Sequence, residues 1–412
     1  MKKSKTVLVI LILIFILSYS ASALEIWVSP YGSDSNPGSK EKPLKTILMA
    51  MRKARELRRL NDPAVKEEVR IILKGGVYQL TESLIVRNED SGTEQIPTWI
   101  EAAPGEQTVI SGGVKILNWK KAEGNISGLT VEARGNIWVA DIPEPGGRRL
   151  EFRQLWVNGK KAVRASNLND GELNRIFSVD SEKEEMWIPS PTESIQDAQQ
   201  LEFVIHQWWA IAILRVKKIS ITGDSACITF HQPESRIEFE HPWPAPYIDT
   251  DKNKNGNSAY YFANSIQLLN QPGEWYEDLN AGKVYYWPRK GEDLNEAEVV
   301  VPYLETLVRV EGSPDFPVSN IIFKGISFEH TAWLRPSKKG HVPVQAGWSI
   351  VDAYRLMNPT FEGGSRFENH HWIERQPAGV TVKGAHNILF KRCRFIHMGA
   401  TGLDFISSTH HN

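Results

Sequence analysis

Asn320-Ile-Ile-Phe-Lys-Gly-Ile-Ser-Phe-Glu-His330 returns 67 residues later as Asn387-Ile-Leu-Phe-Lys-Arg-Cys-Arg-Phe-Ile-His397. A shorter repeat, Gly379-Val-Thr-Val382, is matched by Gly402-Leu-Asp-Phe405, which follows it by 23 residues. Short strands that recur at this interval, with an asparagine at the turn, are typical of the coils of a parallel β-helix. Each coil of such a solenoid buries its inward side chains only against its neighbours, and asparagine tolerates the left-handed backbone of the turn.

The segments before these repeats extend the same pattern toward the N-terminus. Apolar residues at helical spacing predict an amphipathic helix over residues 43–59, which would cap the open end of the solenoid. Its apolar face is Leu44, Ile47, Leu48, Met51, Ala54 and Leu57. Short strands separated by turn residues are predicted after it, at Val69–Leu73, Ser83–Val86, Thr98–Ala102 and Thr108–Ser111. We therefore assign residues 24–149 to the N-terminal part of the β-helix.

Residues 150–298 depart from the coil pattern, because their strands are longer and alternate regularly. This pattern predicts a β-sandwich inserted into the solenoid. Its strands are predicted at Gln154–Asn158, Phe203–Ile205, Lys218–Thr222, Ala226–His231 and Lys283–Pro288. The solenoid is expected to resume at residue 299 and to run to residue 412, so the predicted fold class is all-β.

Composition and the first residues limit the class of protein. The chain has 48 Lys and Arg against 49 Asp and Glu, so it lacks the basic surplus of a general nucleic-acid binder. Two cysteines cannot form a disulfide framework or a structural zinc site. Residues 1–23 combine a positive start, an apolar run and a small-residue cleavage site, which is typical of a secretory signal peptide. We expect a secreted or periplasmic monomer that does not associate with a membrane after cleavage.

Several motifs resemble a known group of secreted proteins. They are Pro43-Leu-Lys-Thr-Ile47, Gly75-Gly-Val-Tyr78, Gly273-Glu-Trp-Tyr276 and Gly282-Lys-Val-Tyr-Tyr-Trp-Pro288, together with the Asn-Ile-x-Phe coils. This set is similar to the right-handed parallel β-helix glycoside hydrolases of families 120 and 141. The resemblance implies a β-helix interrupted by a β-sandwich, and activity as a xylosidase, xylanase or fucosidase. In those families the β-helix continues past the point where this chain stops.

Outward positions of successive coils define a predicted groove. Alternation within the coils places Arg309, Thr381 and Asp404 in one column, with strands about 4.8 Å apart. Hydrolysis of a glycosidic bond needs two carboxyl groups, and Asp404 is the first candidate. An ordinary polar exterior is the competing interpretation of this column. The predicted catalytic set is Asp404, Glu374 and Glu329, with Asp352 and Glu362 as further candidates.

Aromatic and histidine residues lie near this column in the sequence. Tryptophans in the segment 334–376 and just before it would stack on sugar rings, although core packing is the competing interpretation of each. His330 and His397 occupy equivalent coil positions and are predicted to be stacked turn residues that contact substrate rather than metal ligands. The predicted substrate-binding set is Arg309, Trp333, Trp348, Trp372, His330 and His397.

No metal or other cofactor is expected, with one alternative. Asp249, Asp251, Asn253 and Asn255 resemble a calcium loop, but position 12 counted from Asp251 is Phe262, where an EF-hand has a bidentate Glu. A solvated turn is therefore the favoured interpretation of this segment.

The sequence favours a secreted glycoside hydrolase that acts on a plant-type polysaccharide or oligosaccharide containing xylose or fucose. A polysaccharide lyase acting on uronate polymers and a non-catalytic carbohydrate-binding surface protein are the alternatives. The chain stops at His411-Asn412, which reproduces His386-Asn387 without the inward strand that follows it there. We therefore expect a fragment whose last coil is incompletely covered and whose functional positions extend beyond residue 412.

Overall fold

The computed structural model describes residues 23–65, 68–168, 173–192, 195, 198, 200–241, 244–249, 256–352, 356–357, 367–368, 373–407, 409–410 and 412. The fold is all-β, with short helices between strands. Several predicted features lie outside the described residues, namely most of the signal peptide, Asp251, Asn253, Asn255, Glu362 and Trp372. No helix in the described part of the chain is long and apolar enough to cross a membrane.

The first part of the chain forms short parallel strands and one helix. These elements are β1 (Leu24–Val28), α1 (Ile47–Arg59), β2 (Val69–Leu73), β3 (Gly76–Gln79), β4 (Leu84–Val86), β5 (Thr98–Ala102) and β6 (Thr108–Ser111).

Residues 112–307 leave this arrangement and are called the first excursion. The elements of the first excursion are β7 (Gly113–Lys115), β8 (Lys120–Lys121), β9 (Trp138–Asp141), β10 (Trp156–Val157), β11 (Lys160–Lys161), β12 (Val163–Arg164), β13 (Asn174–Arg175), β14 (Ser178–Asp180), β15 (Glu185–Pro189), β16 (Glu202–His206), β17 (Ile211–Thr222), β18 (Ser225–Phe230), α2 (Glu234–Glu240), β19 (Ala259–Ala263), β20 (Glu274–Asp278), β21 (Lys283–Tyr286) and β22 (Val299–Pro302).

The parallel strands then resume and are interrupted once more, by residues 330–377, which are called the second excursion. The remaining elements are β23 (Val308–Glu311), β24 (Val318–Lys324), β25 (Ile326–Glu329), α3 (Arg335–Lys339), β26 (Ser349–Ile350), β27 (Leu356–Met357), β28 (Phe367–Glu368), β29 (Ile373–Glu374), β30 (Ala378–Lys383), β31 (Ala385–Lys391), β32 (Arg394–Ile396), β33 (Thr401–Phe405) and β34 (Thr409–His410).

Outside the excursions, the chain passes in turn through three parallel sheets that surround one core. Sheet A has the strand order β1-β2-β5-β24-β31-β34, sheet B has β3-β6-β25-β32, and sheet C has β4-β23-β30-β33. Strand pairing joins Ile321 to Ile388 and Phe328 to Phe395, so it reproduces the 67-residue repeat read from the sequence. Each pass through sheets A, B and C is one coil.

Aromatic and asparagine stacks hold adjacent coils together. The rings of Phe323 and Phe390 are stacked at 5.0 Å, and those of Phe328 and Phe395 at 5.1 Å. Asn387 donates from Nδ2 to Oδ1 of Asn320 at 3.1 Å, and both residues have a left-handed backbone. The predicted asparagine turn is therefore confirmed, and a hydrogen bond between coils accompanies it.

Helix α1 packs its apolar face against the first coils. Thr46 caps its N-terminus by accepting a hydrogen bond from the amide of Met49. Ile47, Ala50, Met51 and Ala54 are buried in the coil core. The predicted face was wrong at one position, because Leu48 is 46% exposed and Ala50 occupies the buried position instead.

The first excursion contains mostly antiparallel sheets and two hydrophobic cores, one of which also takes in Val342, Val344 and Ile350 of the second excursion. Strand pairing extends the first excursion beyond the predicted range of 150–298 at both ends. Strand β7 pairs with β22 through Val114 and Val301, so residues near 113 and 299 belong to this unit rather than to the coils. The next strand of sheet C begins at Val308.

Both excursions leave the coils at the same corner, and they dock on each other. The first departs after β6 of sheet B and returns at β23 of sheet C, and the second does the same between β25 and β30. Backbone hydrogen bonds of 2.9 and 2.8 Å join Ile213 of β17 to His341 of the second excursion. Arg153 of the first excursion donates to Glu202 and to Ser337 Oγ of α3, which ties the two segments together.

Candidate functional site

The predicted column on sheet C is present in the strand register. Arg309 pairs with Thr381, and Thr381 pairs with Asp404, on strands β23, β30 and β33. The neighbouring Val308 and Val380 are buried in the core, as the predicted alternation requires. The three polar side chains therefore share the outer face of sheet C.

Asp404 is held by a residue of the second excursion. Arg375 donates from a guanidinium nitrogen to Oδ1 of Asp404. The same guanidinium lies 4.7 Å from the centre of the Trp348 ring, and such cation–π contact restricts its orientation. An acid, a cation and an aromatic ring thus meet where the second excursion crosses sheet C.

The predicted carboxylate Glu374 lies next to Arg375 in the chain but has a different partner. Its strand β29 pairs with β26, and its carboxylate accepts a hydrogen bond from Arg335. Asp352 pairs with Arg236 of α2 at 3.0 Å, which places it against the first excursion. Of these two acids, Glu374 is the one adjacent to the residue that binds Asp404.

Glu329 lies on the outer face of sheet B, near the corner where the excursions begin. It accepts a hydrogen bond of 2.6 Å from Ser327, and His397 Nδ1 is 3.6 Å from its carboxylate. Burial raises the pKa of Glu329, but the interactions with His397, Ser327 and His330 outweigh it, and the net shift is downward. Glu329 is therefore suited to be an anion rather than a general acid at neutral pH.

The position of Glu329 does not favour its predicted pairing with Asp404. Glu329 pairs with Ile396 on sheet B, whereas Asp404 pairs with Thr381 on sheet C. The two carboxyl groups therefore lie on different faces of the coil stack, whereas the paired carboxyl groups of a glycosidase flank one glycosidic bond.

His330 and His397 are stacked turn residues, as predicted, but they are covered by the first excursion. Their ring centres are 4.8 Å apart, and the buried Trp156 contacts them at 5.1 and 5.4 Å. Burial lowers the pKa of His330 to about 4, and His397 adds to this shift. A role in substrate binding, which was predicted for both, is not favoured by a position beneath Trp156.

The other predicted substrate residues differ in their exposure to solvent. Trp348 is half-buried and lies beneath Arg375, whereas Trp333 packs edge-on against the buried His341 at 5.0 Å. Trp333 therefore anchors the second excursion. Arg309 forms an ion pair of 2.5 Å with Glu311 on the outer face of sheet C.

Sequence reasoning missed an exposed aromatic pair at the tip of the β16–β17 hairpin. Trp208 and Trp209 are 64% and 54% exposed, and the Trp208 ring contacts Tyr247 edge-on at 4.7 Å. Both lie within five residues of Ile213, where the second excursion pairs with β17. The adjacent Trp-Trp at a turn between two alternating strands was the signal in the sequence.

Glu238 and Glu277 are two of the five buried glutamates of the first excursion. Burial raises the pKa of Glu238 and of Glu277 to about 8, so both are largely protonated at neutral pH. Glu238 accepts a hydrogen bond from Gln207 Nε2, and Glu277 accepts one from the amide of Phe152 at 3.1 Å. Because both are fully enclosed, they serve as hydrogen-bonding groups of the interior.

The residues that could hold a metal are limited in the described part of the chain. Glu329, His330 and His397 bring three ligand-type atoms within 4.8 Å of one another. His330 Nδ1 is already within hydrogen-bonding distance of Ser111 Oγ, at 3.1 Å. In the predicted calcium segment, Asp249 is described, and its amide donates to Asn257 Oδ1 at 2.7 Å. The absence of a metal cofactor stays a prediction.

Residues 135–289 match the family model described as the GH141 insertion domain. A solved structure described as a glycoside hydrolase is 46% identical and superposes with a TM-score of 0.84, over 93% of this chain and 63% of that chain. The chain is thus similar to glycoside hydrolases of family 141, and it spans less than two thirds of the length of the structure it matches.

A second solved structure, the complex of XylC with xylose, is far more distant. It is 14% identical, with a TM-score of 0.35, over 89% of this chain and 40% of that chain. This likeness is too low to support an argument about fold or function. No curated protein matches the chain.

Proposed function

We propose that the chain belongs to a secreted glycoside hydrolase that cleaves a plant-type polysaccharide or oligosaccharide containing xylose or fucose. The observation that carries the proposal is the 46% identity to a glycoside hydrolase over 93% of this chain. In this proposal, sheets A, B and C are the faces of a right-handed parallel β-helix. The groove is the outer face of sheet C, beside the corner where both excursions begin.

Asp404 is the catalytic carboxylate of this proposal. Its side chain is mostly covered yet lies on the groove face, where Arg375 fixes the orientation of the carboxylate. An ionised carboxylate held in this way can act as the nucleophile of a retaining enzyme or as the base of an inverting one. Trp348 supplies an aromatic surface beside it, and the exposed Trp208 offers a further surface for sugar rings.

Glu374 is the proposed second carboxyl group, because it neighbours Arg375 and is largely exposed. To protonate a leaving group it has to exchange its present contact with Arg335 for the glycosidic oxygen. This exchange costs little, because a surface ion pair contributes about 1 kcal/mol or less.

The proposal is tested by measuring reducing sugar released from xylan and from fucose-containing oligosaccharides. We expect Asp404→Asn to lower the rate by at least about a hundredfold, because one catalytic carboxyl is lost with little change of shape. Asp315→Asn, which alters an exposed acid between β23 and β24, is the matched control and should keep full activity. Glu374→Gln tests the second carboxyl in the same assay.

Other results would contradict the proposal in distinguishable ways. Equal activity of Asp404→Asn and Asp315→Asn would remove Asp404 from the site. Release of an unsaturated uronate would indicate a lyase. Binding of the polysaccharide without any product, for a preparation with native circular dichroism, would indicate a carbohydrate-binding protein.

A further inference from the structure

The first excursion contains a polar cavity of about 350 Å³ that plays no part in the mechanism above. It lies between the outer face of strands β20 and β21 and the turn that follows β19. Ligand cavities typically start at about 300 Å³, so this one is suited to a single sugar ring. We propose that this cavity is a non-catalytic binding site for a neutral pyranose unit of a glycan. The choice of a sugar as ligand, but not the existence of the site, rests on the proposed function.

Two tyrosines provide the apolar wall of the cavity. Tyr276 on β20 pairs directly with Tyr285 on β21, so their side chains share one face of the sheet. The rings are stacked, with centres 6.2 Å apart and planes within 20° of each other. Stacked rings turn their outer faces away from each other, and an aromatic face is the kind of surface on which the C–H face of a pyranose packs.

A buried amide oxygen supplies a hydrogen-bond acceptor. Asn264 lines the cavity, is 2% exposed, and adopts a left-handed backbone conformation. Its Nδ2 donates to the carbonyl oxygen of Gln200 at 2.9 Å, which fixes the amide plane. Its Oδ1 is buried and has no hydrogen-bond partner among the residues that the structure describes. A buried polar atom without a partner is costly, and a side-chain adjustment that brings a ligand hydroxyl within reach would relieve that cost.

Two further amides are positioned by their own carbonyl oxygens. Oε1 of Gln267 accepts a hydrogen bond from Ser265 Oγ, and Oε1 of Gln200 accepts one from the amide of Leu279 at 3.3 Å. These contacts use the carbonyl oxygens and leave the amide nitrogens, which are donors, for other partners. Donors from Gln200 and Gln267 beside the acceptor of Asn264 match a sugar hydroxyl, which both donates and accepts.

The charge of the cavity indicates a neutral ligand. Asp278, on the same sheet face as Tyr276, is the acidic residue among the lining side chains. One of its carboxylate oxygens accepts a hydrogen bond from the amide of Ala281 at 2.9 Å, so the group is held in place. A uronate would bring a second carboxylate close to Asp278 and would be repelled, whereas a neutral sugar can donate a hydroxyl to it.

The test is calorimetric titration of the chain with xylotriose and fucose as neutral probes and with trigalacturonate as the acidic probe. We expect a neutral probe to bind, and Gln267→Glu to weaken that binding at least tenfold, because the variant keeps the shape but replaces a donor with an acceptor. Gln345→Glu, an exposed glutamine of the second excursion, is the matched control and should bind as the unaltered chain does. Tyr285→Leu, checked for native near-ultraviolet circular dichroism, tests the aromatic wall.

The Asp404→Asn variant separates this proposal from the proposed function. It should lose hydrolysis and keep the binding that depends on Gln267. Binding that is insensitive to both Gln267→Glu and Tyr285→Leu would overturn the cavity proposal and leave the hydrolase intact. Preference for trigalacturonate, or no binding of either neutral probe, would overturn it as well.

Discussion

Arg375 donates a hydrogen bond to Asp404 across the boundary between the second excursion and sheet C. The acid comes from the regular stack of coils, and the cation comes from a segment that interrupts it. The position of Asp404 is therefore fixed by strand register, whereas its immediate environment is fixed by how the second excursion folds back. Changes in that excursion can alter the site without any change in the coils.

Arg375→Met tests this dependence. It removes the donor to Asp404 while retaining a long side chain over Trp348, so we expect the fold to persist and turnover to fall. A lost hydrogen bond to a charged group is worth about 1.5–3 kcal/mol, which corresponds to a ten- to hundredfold lower kcat on xylan or on a fucose-containing substrate. Arg394→Met, on the exposed outer face of sheet B, is the matched control. A kcat that falls equally in both variants would argue against a specific role of Arg375.

Trp208→Ala tests the exposed aromatic pair. Because the side chain is mostly solvent-exposed, we expect the free energy of unfolding to change by less than about 0.5 kcal/mol. We expect KM for a polymeric substrate to rise by about tenfold, since a stacking surface is lost, while KM for a small chromogenic glycoside stays the same. Phe316→Ala, which removes an exposed ring between β23 and β24, serves as the control. A KM that rises equally for the polymer and for the small glycoside would contradict the idea that Trp208 stacks on sugar units remote from the cleaved bond.

The asparagine stack can be dissected by two substitutions at one position. Asn387→Gly keeps the left-handed backbone and removes the hydrogen bond to Asn320, which should cost about 1 kcal/mol in urea unfolding. Asn387→Ala should cost about 1–2 kcal/mol more, because alanine is strained in that conformation. Asn61 has the same left-handed backbone but lies outside the stack, so Asn61→Gly is the control and should hardly change the free energy of unfolding. If Asn387→Gly and Asn387→Ala lowered the free energy of unfolding equally, backbone strain would make no separate contribution at this position.

The buried His341 should make the stability of the protein sensitive to acid. Burial lowers its pKa from 6.5 to about 3, and Arg335 and Arg153 add to the shift. Because the unfolded state binds the proton more tightly, the free energy of unfolding is highest above about pH 6.5 and decreases as the pH falls toward 3. Between these two pH values, the contribution of His341 to the free energy of unfolding falls by at most about 5 kcal/mol.

Urea unfolding at about pH 7.5 and about pH 5 measures this effect. His341→Gln should be less stable at the higher pH and should lose less stability on acidification than the unaltered chain. His410→Gln, which removes an exposed imidazole, is the matched control. An unaltered pH slope in His341→Gln would show that another group titrates.

The coils could be predicted because their signal is local and periodic. Asn320, Phe323 and Phe328 recur with Asn387, Phe390 and Phe395, and identical side chains stack when identical strands pair. Alternation of apolar and polar residues then placed Asp404 on the outer face of sheet C. This part of the candidate site required no information beyond the repeat.

The partners of these residues could not be predicted, because they depend on contacts between segments distant in the sequence. Nothing in the local pattern of Arg375 distinguishes it from Arg335, yet one meets Asp404 and the other meets Glu374. Trp156 likewise covers His330 through the docking of the whole first excursion. The predicted start of that excursion, at residue 150, is too late for the same reason, since β7 is defined by its pairing with the remote β22.

The common corner from which both excursions emerge has a consequence for how such proteins can diverge. The exit points belong to neighbouring strands of one sheet, about 4.8 Å apart, and each excursion returns to the strand next in line. Either segment can therefore be lengthened, shortened or exchanged by recombination while the stack beneath it keeps its spacing. In an evolving lineage, the substrate range would change through these two excursions. The coils would meanwhile keep the spacing that positions both excursions.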